Sequence, residues 1–153
     1  MNITASITFS IALVFISWII GMIITTFIKN TNYYKNELSN LNFLKNEKLN
    51  TIIGVDVIKW IVKNTFFKFF NQKLKINGKI DTSNLKDLRA EMTKSEIDHL
   101  IAFLCVMIVI VHKIWLNQYS FALILLIINT ITNLYPSLLQ QQNKRRIDKL
   151  LIK

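Results

Sequence analysis

The 153-residue chain is 52% hydrophobic and only 18% charged, and it carries three glycines and one proline. A water-soluble domain of that length has too little interior for so much apolar side chain, which makes lipid its second solvent. The net charge of +10 is unevenly spread: thirteen of the nineteen Lys/Arg lie from Lys29 to Lys94 and five follow Gln142. Dispersed beside long apolar runs and without a recognition motif, this charge fits a membrane surface and argues against nucleic acid. The single cysteine, Cys105, lies in an apolar run and excludes an intramolecular disulfide or a cysteine metal cluster.

The first apolar run, Ile7 to Phe27, has 21 residues without a charge. At about 1.5 Å per residue it spans roughly 30 Å, the thickness of a hydrocarbon core. No Lys or Arg precedes it and no small-residue cleavage site ends it, so it reads as a membrane helix and not a signal peptide. Lys29 to Asn50 reads as a solvated connector. Across Ile52 to Phe70, Asp56, Lys59, Lys63, Asn64 and Lys68 recur at helical spacing. Complementary positions carry Ile53, Val57, Ile61, Phe66, Phe67 and Phe70, which predicts an amphipathic helix at the cytoplasmic interface or packed on the protein.

Asn77-Gly78 marks a tight turn, and Asp81 to Met92 a polar helix. Thr93-Lys94-Ser95-Glu96 fits a capping box, with Thr93 as N-cap and Glu96 reaching back from the third helical position. It opens a second membrane helix at about 98–115, and a third follows at about 120–139 with Tyr119 and Tyr135 near its ends. The expected fold is an all-α integral membrane protein: one domain, residues 1–153, with three transmembrane helices and a cytoplasmic interfacial amphipathic helix. The positive-inside rule places segment 28–97 and the basic tail 140–153 in the cytoplasm, with the N-terminus outside a multi-pass cell membrane protein.

Glu96 and His99 are three apart and share a helical face. Asn133, Gln140, Asn143 and Arg146 follow the third helix out of the membrane, so antiparallel packing would gather all six at one level. Polar groups at such depth are costly and line a site or pair together. In the functional reading His99 is a general base toward a hydroxyl, Glu96 orients the imidazole, and Arg146 and Asn143 hold a phosphate or an oxyanion. In the structural reading Glu96 completes a cap, His99 anchors at the interface, and Arg146 is an ordinary positive-inside residue. A metal site lacks ligands, because the other histidine, His112, lies about 20 Å along the helix.

Two stretches carry a resemblance. Glu91-Met-Thr-Lys-Ser-Glu96-Ile-Asp-His99, and Asn133-Leu-Tyr-Pro-Ser-Leu-Leu-Gln140-Gln-Gln-Asn143-Lys-Arg-Arg146, resemble the glycosyl-4,4'-diaponeurosporenoate acyltransferases of carotenoid biosynthesis. The similarity runs from about Lys59-Trp60 to Leu150. Leu100 stands where that family carries an aromatic residue, and Gln141 and Gln142 where it carries Arg and an aromatic. The resemblance implies an acyltransferase that moves a fatty acyl group to a sugar hydroxyl of a lipid-linked glycoside. It implies His99 and Glu96 as catalytic residues and Glu91, Asn133, Gln140, Asn143 and Arg146 as substrate-binding residues. No cofactor or metal is implied; the acyl donor, acyl-CoA among the candidates, is a co-substrate.

Expected partners are membrane lipids, the amphiphilic glycoside and the acyl donor, with a homo-oligomer or pathway partners left open. The alternative is a non-enzymatic small membrane subunit or a holin-like pore protein. The absence of G-x-x-x-G from the apolar runs weighs against it.

Overall fold

The computed structural model describes residues 2–43, 51–64 and 82–152, and these are helical with no strand among them. Three helices are long and apolar enough to cross a membrane: Ile3–Ile28, Thr82–Trp115 and Tyr119–Leu151. We label Ile3–Ile28 α1, Asn32–Asn36 α2, Val55–Asn64 α3, Thr82–Trp115 α4, Tyr119–Asn129 α5 and Tyr135–Leu151 α6. Residues Thr130–Leu134 form a π-turn that joins α5 to α6 in one interrupted rod. The expected turn at Asn77-Gly78 and the end of the amphipathic helix beyond Asn64 lie outside the described residues.

The second membrane helix does not begin at a capping box. Thr82–Trp115 is one helix of 34 residues, and the Thr93 hydroxyl donates to the Arg89 carbonyl 2.9 Å away, as a threonine inside a helix does. The expected polar helix and membrane helix are thus continuous, because nothing between Leu85 and Trp115 breaks the ladder. At about 1.5 Å per residue this rod exceeds a hydrocarbon core by roughly 20 Å, so its polar N-terminal turns stand beyond the membrane. At the other end the chain reverses sharply. Asn117 sits at φ 57°, a left-handed conformation that asparagine tolerates, and Gln118 N–H closes back onto the Lys113 carbonyl.

The second long rod is interrupted for a covalent reason. Pro136 lies in the first turn of α6 and has no N–H for the carbonyl one turn back. The chain widens just before it, and Tyr135 N–H reaches the Thr130 carbonyl five residues back.

Helix α1 runs antiparallel to α4 and packs on α4 and α5. Its buried face is built from small residues, Ser6, Ser10, Ser17, Gly21 and Thr25. No G-x-x-x-G is present, yet small residues four or seven apart make the same close-approach face. The serines lose no hydrogen bond in the process: Ser10 donates to the Ser6 carbonyl at 2.7 Å and Ser17 to the Val14 carbonyl at 2.8 Å. At Gly21 the backbones nearly touch, and a Cβ there would stand 2.2 Å from the Asp98 carbonyl oxygen. Gly21→Ala is therefore expected to destabilise the protein by about 1–3 kcal/mol. Thermal unfolding in detergent checks this against Ile20→Ala, whose side chain is 40% exposed on the outer face.

Val14, Val106, Ile110, Phe121, Ala122 and Leu125 form the core at the Asn117 end. Outward-facing Ile16, Ile23, Leu104, Ile108, Val111, Leu123 and Ile127 are exposed and form an apolar belt around the three helices. Helix α3 docks at the opposite end. Val55 is fully buried against Leu138 and Leu139, and the Tyr135 hydroxyl donates to the Ile53 carbonyl at 2.7 Å. Val57 and Trp60 stay 60% and 64% exposed, so this helix both packs on the protein and keeps an apolar surface outward.

Candidate functional site

The polar residues that the sequence singles out divide between two levels of the α4–α6 contact. At the deeper level His99 of α4 faces Asn133 of the π-turn, with Nδ1 3.3 Å from Asn133 Oδ1. Asn133 is buried and donates through Nδ2 to Asn129 Oδ1 at 2.9 Å. Asn129, fully buried, donates in turn to the Phe103 carbonyl at 3.1 Å. Trp18 of α1 lies parallel to the imidazole, with ring centroids 5.8 Å apart and 8° between planes. His99 is thus held on one side by an aromatic face and on another by an amide. It stands just over one helical turn from Leu104, where the exposed apolar belt on α4 begins.

The outer level centres on Glu96, whose side chain is fully buried. Gln141 Nε2 donates to Glu96 Oε1 at 2.9 Å, and Lys144 Nζ lies 2.5 Å from Glu96 Oε2. Lys144 also donates to the Ser39 carbonyl at 2.9 Å, and Gln141 accepts from Phe43 N–H through Oε1 at 2.9 Å. Arg145 reaches Asn42 Oδ1 at 2.6 Å. The stretch expected to be a solvated connector is therefore docked on α6 as far as Phe43. Its carbonyls and amides supply hydrogen bonds that the buried cluster needs.

Tyr34 of α2 is buried in the same region. Its hydroxyl is pushed up to about 12, first by burial and then by the negative charges of Asp98 and Glu96. A polar cavity of about 90 Å³ opens between residues 39–42 and the ends of α4 and α6, with Arg89, Lys144, Arg145 and Asp148 on its walls. Arg89 and Asp148 clamp the two rods beyond it at 2.5 Å.

The expected pairing of Glu96 with His99 is replaced by this arrangement. The Glu96 carboxylate is spent on Gln141 and Lys144, and the imidazole meets Asn133 instead. The six residues do not gather at one level either. Asn133 is with His99, whereas Gln140 lies two turns on, half-buried, and Asn143 is half-buried beyond it. Arg146 is exposed and acts on Asp56 of α3, whose carboxyl is held low chiefly by the Thr51 hydroxyl, then by Gln142, Lys59 and Arg146. Glu91 is exposed on α4.

Four participants escaped the sequence reading: Trp18, Asn129, Gln141 and Lys144. Asn129 and Asn133 are four apart in an apolar run, a signal that was present. In sequence Gln141 and Lys144 belong to a polar, basic tail, and what sets them apart is the face of α6 that meets Glu96.

Chemically, an imidazole between an aromatic face and an amide, at the rim of an apolar belt, can accept a proton from a hydroxyl whose hydrophobic remainder stays in lipid. The buried Glu96–Lys144 pair braces the helices that carry it. The sequence model of a family described as glycosyl-4,4'-diaponeurosporenoate acyltransferase matches residues 30–153, which leaves out α1 and takes in everything after it. No curated protein and no solved structure matches the chain.

Proposed function

Because the chain belongs to the glycosyl-4,4'-diaponeurosporenoate acyltransferase family, we propose that it esterifies a sugar hydroxyl of a lipid-linked glycoside with a fatty acyl group, using His99 as the general base. As a member of that family it is an acyltransferase, and the family name makes a glycosyl carotenoid the first acceptor to try. The observation that carries the reading is the placement of His99, held by Asn133 and Trp18 beside the apolar belt.

In the proposed step the imidazole takes the proton of the sugar hydroxyl as its oxygen attacks the acyl carbonyl carbon. The tetrahedral intermediate then collapses, the ester forms, and the protonated imidazole returns its proton to the departing head of the donor. Gln140, Asn143 and Arg146 lie on the outward course of α6 and are suited to the polar head groups of acceptor and donor. Glu91, on the exposed side of α4, is assigned with them by its place in the family motif. Glu96 acts at a distance, as the partner of Lys144 that fixes α6 against α4.

Among the described residues, Lys29, Lys35, Lys86, Arg89, Lys94, Lys144, Arg145, Arg146 and Lys149 lie toward the end of the bundle that holds this site, and the Asn117 turn and the start of α1 lie at the other. The positive-inside rule then puts the site on the cytoplasmic face and the N-terminus outside. Amphiphilic substrates reach such a site by lateral diffusion, their acyl and polyene chains remaining in the bilayer.

Mass spectrometry of lipid extracts, from cells supplied with a glycosyl carotenoid and making or lacking this protein, tests the proposal. The expected result is a glycoside heavier by one acyl chain that appears only with the protein. An unchanged lipid profile across a panel of glycosides overturns the assignment of acceptor and leaves a non-enzymatic membrane role to be pursued.

A further inference from the structure

Asn129 forms no hydrogen bond with His99, and is linked to the imidazole through Asn133. The Phe103 carbonyl at one end of the ladder can only accept. Asn129 stands 3.1 Å away from it and must therefore present its NH2 group there. That leaves the Asn129 Oδ1 atom toward Asn133, and an oxygen accepts only from the Asn133 NH2 group, 2.9 Å away. Asn133 then has its own Oδ1 facing His99 Nδ1 at 3.3 Å. Oxygen facing nitrogen is favourable only when Nδ1 bears the hydrogen. Nε2 is then the nitrogen with the free lone pair, and no described side chain hydrogen-bonds to it.

The direction of each bond is thus set by a backbone oxygen at one end of the chain. The amide orientations, which are otherwise interchangeable, have one consistent solution. Both asparagines are buried; reversing Asn129 would set its oxygen against the Phe103 carbonyl, and reversing Asn133 would set its oxygen against Asn129 Oδ1. Water is not at hand at that depth to repair such a clash.

We propose that Asn129 is a positioning residue which, through Asn133, holds His99 in the Nδ1–H tautomer and so makes Nε2 the base. The tautomer follows from the hydrogen-bond directions alone, while its importance for turnover rests on the reading of His99 as general base. The place of the ladder in the π-turn before Pro136 gives it a covalent support: the local widening belongs to the same stretch of chain that holds Asn133.

The test uses the full chain in nanodiscs, with ¹⁵N-labelled histidine and His112→Gln so that His99 supplies the one imidazole signal. The expected spectrum above the imidazole titration shows a protonated δ1 and an unprotonated ε2 nitrogen. Asn129→Leu is expected to shift the population toward the other tautomer and to lower kcat by about 100-fold with KM little changed. Asn129→Asp, protonated at that depth, still donates to Phe103 and accepts from Asn133, and is expected to keep the tautomer and most of the activity.

An Nε2–H spectrum with Asn129 in place overturns the inference, and that measurement stands even where Asn129→Leu does not fold. Unchanged nitrogen shifts in a folded Asn129→Leu protein also overturn it. If the Nδ1–H tautomer is found but His99→Gln keeps full activity, the tautomer inference holds and the general-base reading fails.

Discussion

His99→Ala is expected to lower acyl transfer by about 10²- to 10⁴-fold, the range that a positioned general base contributes. The loss should fall on kcat, because the proposed general base acts on a proton that moves only as the ester forms. Removing the ring also takes away the Trp18 stack and the contact with Asn133, so a fall in activity from misfolding has to be separated from a fall in catalysis. His99→Gln provides that separation. Its amide can donate to Asn133 Oδ1 in place of the ring, but it has no lone-pair nitrogen with which to take up a proton. A glutamine variant that inserts normally, unfolds near the wild-type temperature and has lost transfer establishes the base. A glutamine variant with ordinary turnover rejects it.

Lys144→Met is expected to cost about 3–5 kcal/mol of stability, the penalty for leaving a buried charge without its counterion. The Lys144 side chain is 4% exposed and Glu96 is fully buried, so water cannot replace the missing ammonium. The same substitution releases the carbonyls of Ser39 and Leu41, and the segment after α2 should loosen from α6. Adding Glu96→Gln removes the stranded charge while keeping an oxygen for Gln141 Nε2. The double variant should therefore be clearly more stable than Lys144→Met alone. Unfolding in mild detergent, followed by near-UV dichroism, measures both. A single variant that loses less than about 1 kcal/mol would show that the pair is not the brace described.

Both expectations concern residues on α4 and α6, and the two helices show how the levels of description divide. The transmembrane character of the chain is a matter of composition, since an uncharged run such as Ile7 to Phe27 cannot be solvated by water. The hairpin between α4 and α5 was legible as a short polar connector, and the left-handed Asn117 is a residue type suited to it. The family, too, was legible, from Glu96-x-x-His99 and the Gln140-x-x-Asn143-x-x-Arg146 ending. The capping box at Thr93 misled because its residue pattern is equally compatible with the middle of a helix. Whether Thr93 caps a helix or donates back to Arg89 depends on the turns before it, which no four-residue motif reports.

What the sequence by itself determined was the need of the long apolar runs for lipid, the number of long apolar helices and the family motif around Glu96 and His99, because these depend on residue type and spacing along one chain. The tertiary structure decided who meets whom. It gave Glu96 to Lys144 instead of His99, brought Trp18 onto the imidazole from a helix about eighty residues away in sequence, and docked the connector on α6. These choices turn on helix rotation and register. They are set by a small-residue face that lets α1 approach to contact at Gly21, and by a π-turn ahead of Pro136 that re-aims α6. A helix's own periodicity says which residues share a face, and only packing says what that face is turned toward.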